Sequence, residues 1–312
     1  MTSFQAVARV RRLFSIKKVG HCGTLDPFAD GVLPICLGRG TAAVQYMEPY
    51  DKSYIVTFRL GRSTDTQDLE GKTVALRTPD EVAVEMLLAD DGRYLNEAIL
   101  KMEGVQMQTP PIYSALKLDG RPLYSYARSG ESVDLLRKRR EITVLSAAFI
   151  SAQFDPEGDL EAPVLVKARI ACSKGTYIRT LVHDLGERLG FGAYCTALTR
   201  DETGPFKLTD TVTLEELEAL MPDDPTLHPK LRTLDEALGY LPVVELDMSN
   251  ASRFAHGQFL DPSGLIEMTD EALRLRYRVI GPNGLIGVAY IRWTEDGDAK
   301  LAAERVFIRP NE

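Results

Sequence analysis

Eight residues, Gly20-His21-Cys22-Gly23-Thr24-Leu25-Asp26-Pro27, bring a carboxylate, an imidazole and a thiol close together in sequence. Three chemistries are open to such a string: a reactive carboxylate, a thiol nucleophile and metal ligation. Two glycines, an Asp-Pro step and no helical period specify a tight loop, and such a loop can hold one carboxylate in a fixed orientation. Taken alone, a Leu-Asp-Pro step caps a turn more often than it reacts. The metal reading is weak: His21, His183, His228 and His256 form no H-x-x-x-H pair, and Cys22, Cys36, Cys172 and Cys195 form no C-x-x-C. Walker A, dinucleotide G-x-G-x-x-G and nucleophile-elbow G-x-S-x-G strings do not occur.

The loop needs elements on either side to hold it. Thr2 and Gln5 have capping-box spacing ahead of Val7, Val10 and Phe14, which predicts a short opening helix with an arginine-rich exposed side. Residues 19–40 read as loop and turn rather than a regular element. In 53–60, Tyr54, Val56, Phe58 and Leu60 share one face of a predicted strand. Residues 164–172 alternate likewise, with Val164, Val166, Ala168 and Ile170 opposed to Lys167 and Arg169. Ile178, Leu181, Val182, Leu185 and Leu189 then take up helical spacing, with Arg179 off their stripe. The elements show no βαβ rhythm, so an α+β fold is expected, with a mixed, mostly antiparallel sheet and flanking helices around a central cleft. Three prolines in 221–233 read as a linker. Beyond it, β-like runs at 276–280 and 285–293, split by Gly281-Pro-Asn-Gly284, predict a small separate β domain. The expected division is 1–238 and 239–312.

A chain with 44% hydrophobic and 26% charged residues can build an ordinary core. It has no apolar run long enough for a membrane span, and its amino end lacks a secretory apolar stretch. A cytoplasmic protein with reduced thiols is expected. The net charge of −8 argues at first against a nucleic-acid partner. Locally, however, residues 1–40 carry six basic residues against two acidic ones, and Arg137, Lys138, Arg139 and Arg140 form a second cluster. Surface fields are set by near charges, so such patches can still concentrate phosphate. The second cluster reads equally well as a solvated loop.

GHCGTLDPFADGVLPICLGRGTA resembles the K-x-G-H-x-G-T-L-D-P-x-A-x-G-V-L-P motif of TruB-type pseudouridine synthases. In family order, DKSYIVTFRLGRSTDTQDLEG, QTPPIYSALKLDGRPLYSYARSG, CSKGTYIRTLVHDLGERLG and GAYCTALTR resemble the later motifs. LPVVELDMSNASRFAHGQFL is similar to the family's PUA-like carboxyl-terminal domain. Cys22 and Asp30 depart from the usual residues without replacing a chemical group. At the amino end only Met1-Thr2-Ser3 matches the family's opening K-P-x-G-x-T-S, so the resemblance implies a preceding strand, and the natural product is expected to start upstream.

The resemblance implies conversion of one T-loop uridine of tRNA (position 55) to pseudouridine, with neither metal nor cofactor, by a monomer needing no protein partner. It implies that Asp26 is the catalytic carboxylate, held ionised by Arg179, and that Tyr54 stacks on the flipped uracil. It further implies that Tyr177 contacts the base, that Leu198 packs against it and that His21 fills the space the base leaves. From residue pattern alone Tyr54 is equally a core tyrosine. Arg9, Arg12, Lys17, Lys18, Arg137, Lys138, Arg139 and Arg140 would neutralise phosphate. Two rivals are an RNA chaperone using the same surface and a synthase directed to its target by a guide-RNA particle.

Overall fold

The computed structural model describes residues 1–220, 224 and 230–308. Most of the linker expected over 221–233 therefore lies outside the described residues. The chain packs into two compact units that interleave in sequence. One comprises Leu25–Val32 and Pro49–Thr209 together with Met1; the other comprises Thr2–Thr24, Leu33–Glu48 and the chain from Asp210 onward. The opening helix, α1 (Ser3–Leu13), begins with the capping box that the sequence predicts. The Gln5 amide donates to Thr2 Oγ1 at 3.2 Å, and the Thr2 amide donates to Gln5 Oε1 at 2.8 Å. Two otherwise orphaned donors are satisfied, and Ala6, Val7 and Val10 are buried.

In the first unit a seven-stranded sheet carries the core. Its main strands are β1 (Lys52–Leu60), β2 (Gly104–Gln108), β3 (Arg140–Phe154), β4 (Val164–Cys172), β5 (Ala193–Thr203) and β6 (Phe206–Lys207), in spatial order β6-β5-β1-β4-β3-β2. These pair antiparallel, and the short strand Asp30–Gly31 joins β5 in parallel. The α+β class and the mostly antiparallel sheet agree with the sequence reading. Alternation holds along β4, where Val164, Val166, Ala168, Ile170 and Cys172 are buried while Lys167 and Arg169 are exposed. From β1 it sends Val56, Phe58 and Leu60 into the same cluster. Full burial of each large side chain contributes about 2 kcal/mol.

Two helices close on this cluster: α2 (Glu81–Leu100) through Leu87, Leu95 and Ile99, and α3 (Ile178–Leu189) through Leu181, Val182 and Leu185. α2 is broken at Ala89–Gly92, where Asp90, Asp91 and Gly92 take φ of 49°, 54° and 78°. The break lets Gly92 press on Phe149: a Cβ there would lie 2.6 Å from the ring's Cζ.

The second unit holds α1 and a four-stranded sheet with order β7-β8-β9-β10: β7 (Val243–Glu245), β8 (Arg276–Gly281), β9 (Gly284–Trp293) and β10 (Ala299–Val306). β7 and β8 run parallel and the other pairs antiparallel. The turn expected between β8 and β9 is present. α4 (Met248–Ala255) covers this sheet with Ala251, Phe254 and Ala255. Leu238, Leu241, Leu285, Val288 and Phe307 form a further cluster with Ala43 and Tyr46 from the amino-terminal part of the chain.

Residues 19–40 correct the expectation of pure loop. Val19–His21 and Ile35–Leu37 form a short antiparallel pair. Its apolar residues join Val7 and Val10 of α1 in one cluster, which gives so short a pair a reason to form.

Candidate active site

Asp26 lies in the segment that joins the first unit. A turn closes behind it, with the Ala29 amide donating to the Asp26 carbonyl at 2.9 Å. Four residues after Asp26, Asp30–Gly31 lies along β5, and the Val32 amide donates to the Arg200 carbonyl at 2.8 Å. Gly31 has φ of 103°, and a Cβ there would stand 2.2 Å from the Arg200 carbonyl oxygen, so only glycine allows this approach.

Arg179, the second residue of α3, meets Asp26 in a two-point grip. Nε donates to Oδ2 at 2.8 Å and Nη2 to Oδ1 at 3.0 Å. The remaining donors reach the Thr66 carbonyl (2.7 Å), the Tyr113 carbonyl (3.0 Å) and Asp68 Oδ2 (3.3 Å). The Arg179 side chain is 4% exposed and that of Asp26 30%, so the arginine is the buried anchor and the carboxylate faces outward. A planar fork matched to a carboxylate fixes its rotamer and favours its charge. Asp68 is buried, and accepts from Thr66 Oγ1 at 2.5 Å and the Glu70 amide at 3.0 Å. Its turn includes Gln67 at φ 63°, whose side chain accepts from Thr180 Oγ1 in the first turn of α3 at 2.8 Å.

Tyr54 opens onto this region from β1, directly opposite Arg200 of β5. Burial pushes its phenol up to about 12, and the adjoining Arg200 guanidinium pulls the other way. The hydroxyl is therefore a neutral hydrogen-bonding group at physiological pH. Tyr177 immediately precedes α3. Gln108 clasps its backbone, its Oε1 accepting from the Tyr177 amide at 2.8 Å and its Nε2 donating to the Tyr177 carbonyl at 3.0 Å. The Arg140 guanidinium lies over the Tyr177 ring, 5.1 Å from its centroid, and donates to the Gly175 carbonyl. Leu198 is a core residue, 5% exposed and opposite Val56.

His21 ends the short strand Val19–His21 in the second unit. Among the basic residues singled out in the sequence, Arg12, Lys17, Lys18 and Arg139 are exposed and Lys138 is half-buried. Arg9 instead pairs with Glu218 at 2.7 Å and Glu215 at 3.3 Å, part of the acidic stretch after residue 200. Arg137 pairs with Asp119 at 3.1 Å. Asp68, Gln108 and Arg200 escape the sequence reading. Asp68 stands in Ser63-Thr64-Asp65-Thr66-Gln67-Asp68, where alternating hydroxyls and acids signal a self-bonded turn without saying which acid faces inward. Arg200 shares the parity of Leu198 on β5, a signal that it faces the buried side.

Residues 11–178 match the TruB family pseudouridylate synthase N-terminal domain, and residues 179–239 the tRNA pseudouridylate synthase B C-terminal domain. The chain belongs to the TruB family. It is similar to the tRNA pseudouridine synthase B of Burkholderia pseudomallei (strain 668), with 40% identity over 99% of this chain and 93% of the relative. To that of Levilactobacillus brevis it is 42% identical, over 89% of this chain and 88% of the relative. Among solved structures, the archaeal box H/ACA sRNP Nop10–Cbf5 complex contains a chain of the same fold (TM-score 0.69, 21% identity, 99% of this chain and 83% of that one). So does a Cbf5–Nop10–Gar1 complex (TM-score 0.71, 23% identity, 100% and 83%). The TruB-family chain is thus an enzyme of the pseudouridine synthase class, an isomerase. Among its described residues no helix is long and apolar enough to cross a membrane.

Proposed function

We propose that this chain isomerises the T-loop uridine of tRNA, position 55, to pseudouridine, with Asp26 as the catalytic carboxylate. The observation that carries the reading is the two-point Asp26–Arg179 pair, with its cation buried and its carboxylate turned outward. The reaction breaks the bond from C1′ to N1 of uracil, turns the base and joins C1′ to C5; N1 gains a proton and C5 loses one. Asp26 serves as nucleophile toward C1′ or C6, or as the base that removes the C2′ proton. Each route needs it ionised and fixed in direction, which Arg179 supplies.

The base must leave its stack, at a cost of about a few kcal/mol. Tyr54 stacks on the flipped uracil, Tyr177 and Leu198 border it, and His21 fills its former place. Exposed Arg12, Lys17, Lys18 and Arg139 contact phosphate, a contribution that salt weakens. Residues 1–238 form the synthase module and 239–312 a PUA-like module that adds affinity for tRNA, in a cytoplasmic monomer. Incubation with unmodified tRNA transcript, followed by mapping of pseudouridine, tests the target. Asp26→Asn should abolish product while binding changes by less than about tenfold. Asn turnover within about tenfold of the parent would remove Asp26 from the mechanism.

A further inference from the structure

Arg200 is among the largest fully buried side chains of the described residues, at 1% exposure toward the carboxyl end of β5. A guanidinium kept from water is costly unless its donors find acceptors, and an apolar residue of similar length would fill the same space without that cost. Its bonds show what the charge is used for. Nε donates to the Val32 carbonyl at 2.8 Å, and the Val32 amide returns a bond to the Arg200 carbonyl at 2.8 Å. Both limbs of this exchange fall where the Asp26 segment comes back along β5, beside the close approach of Gly31. Across the other edge of β5, Arg200 stands in register with Tyr54, so the two side chains lie on one face of the sheet and the guanidinium adjoins the phenol.

We propose that Arg200 is a positioning residue for the isomerisation, acting through Tyr54: it holds the phenol oxygen as an acceptor and ties Tyr54 to the returning limb of the Asp26 segment. A guanidinium has donors only, so the bond between them has one polarity. Tyr54's own proton is thereby directed away from Arg200. The inference rests on the reading of Asp26 and Tyr54 as synthase residues and adds the group that sets one of them.

Arg200→Met fills the same space but takes one donor from the Val32 carbonyl, so its folding is established by urea unfolding alongside the rate. In single-turnover pseudouridine formation at saturating enzyme it should be slowed by about tenfold or more, with tRNA affinity changed by less than about threefold. In a Tyr54→Phe background the same substitution should cost less than about twofold, since no hydroxyl remains to be positioned. Arg200→Lys, which keeps a donor, should recover part of the rate. An equal loss in both backgrounds, or an Arg200→Met rate within about threefold of the parent, overturns the proposal. A second measurement needs no turnover: in protein carrying carbon-labelled tyrosine Cζ, the resonance that Tyr54→Phe deletes should shift in Arg200→Met. An unmoved resonance overturns the proposal as well. The spectrum tests the Arg200–Tyr54 bond apart from the assignment of Asp26, which Asp26→Asn tests by itself.

Discussion

Arg179 holds together groups that the sequence keeps far apart. Its five hydrogen bonds reach Asp26, Asp68 and the carbonyls of Thr66 and Tyr113. Lysine offers three donors on one nitrogen and no planar fork, so Arg179→Lys should lower turnover by roughly a hundredfold although charge is conserved. A single-turnover assay decides it, and a rate near that of the parent would show that the fork is dispensable. Arg179→Ala carries a different expectation, because it strands the buried carboxylate of Asp68. Loss of one partner of a buried pair costs about 3 kcal/mol, read from urea unfolding, and Asp68→Asn in the same chain should return a good part of it. The Asp26–Arg179 partnership was legible in the sequence because both residues stand in long motifs of the TruB family. Asp68 was not, since Asp65 and Asp68 look alike until the turn around Gln67 is seen.

At the scale of elements, legibility follows length. β4 and α3 each run for two or more periods, so alternation in one and helical spacing in the other announce them. The three-residue strands at Val19–His21 and Ile35–Leu37 show no such period, and they exist because α1 packs against them. The broken helix α2 carries its own constraint. Gly92 sits at φ 78° with Phe149 against it, so Gly92→Ala meets both an unfavourable backbone and a ring 2.6 Å from the new carbon. A loss of about 1–3 kcal/mol is expected in urea unfolding. Combining it with Phe149→Leu should relieve the steric part and leave the backbone part. If Gly92→Ala is neutral, the close approach has been overrated.

Across the whole molecule, buried thiols and phenols tie stability to alkaline pH. Burial pushes Cys36 up to about 11, Cys172 up to about 12 and Tyr54 up to about 12, from 9.0 for the thiols and 10.0 for the phenol. The unfolded chain releases these protons first. The stabilisation is therefore complete below about pH 9 and disappears as pH rises through about 12. Urea midpoints should hold steady to about pH 8.5 and fall by about pH 10.5; a flat profile would deny the burial of these groups. A second expectation concerns Ala43 and Tyr46, which are covered by Leu238, Leu241, Leu285, Val288 and Phe307. A chain stopped after Gly239 should be open to protease within residues 2–48, while Pro49–Thr209, with its own core, resists; equal resistance of both would contradict it. The same interleaving bears on how the protein is made. A ribosome delivers Tyr46 long before Leu285, and at about 5–20 residues per second the interval is roughly ten to fifty seconds. During that wait the sheet of the first unit can close, but the chain on both sides of Asp26 still lacks its final cover. The two flanks of the loop that carries the carboxylate are thus among the first parts synthesised and among the last to be covered, whereas Leu25–Val32 itself can settle as soon as α3 and β5 have emerged.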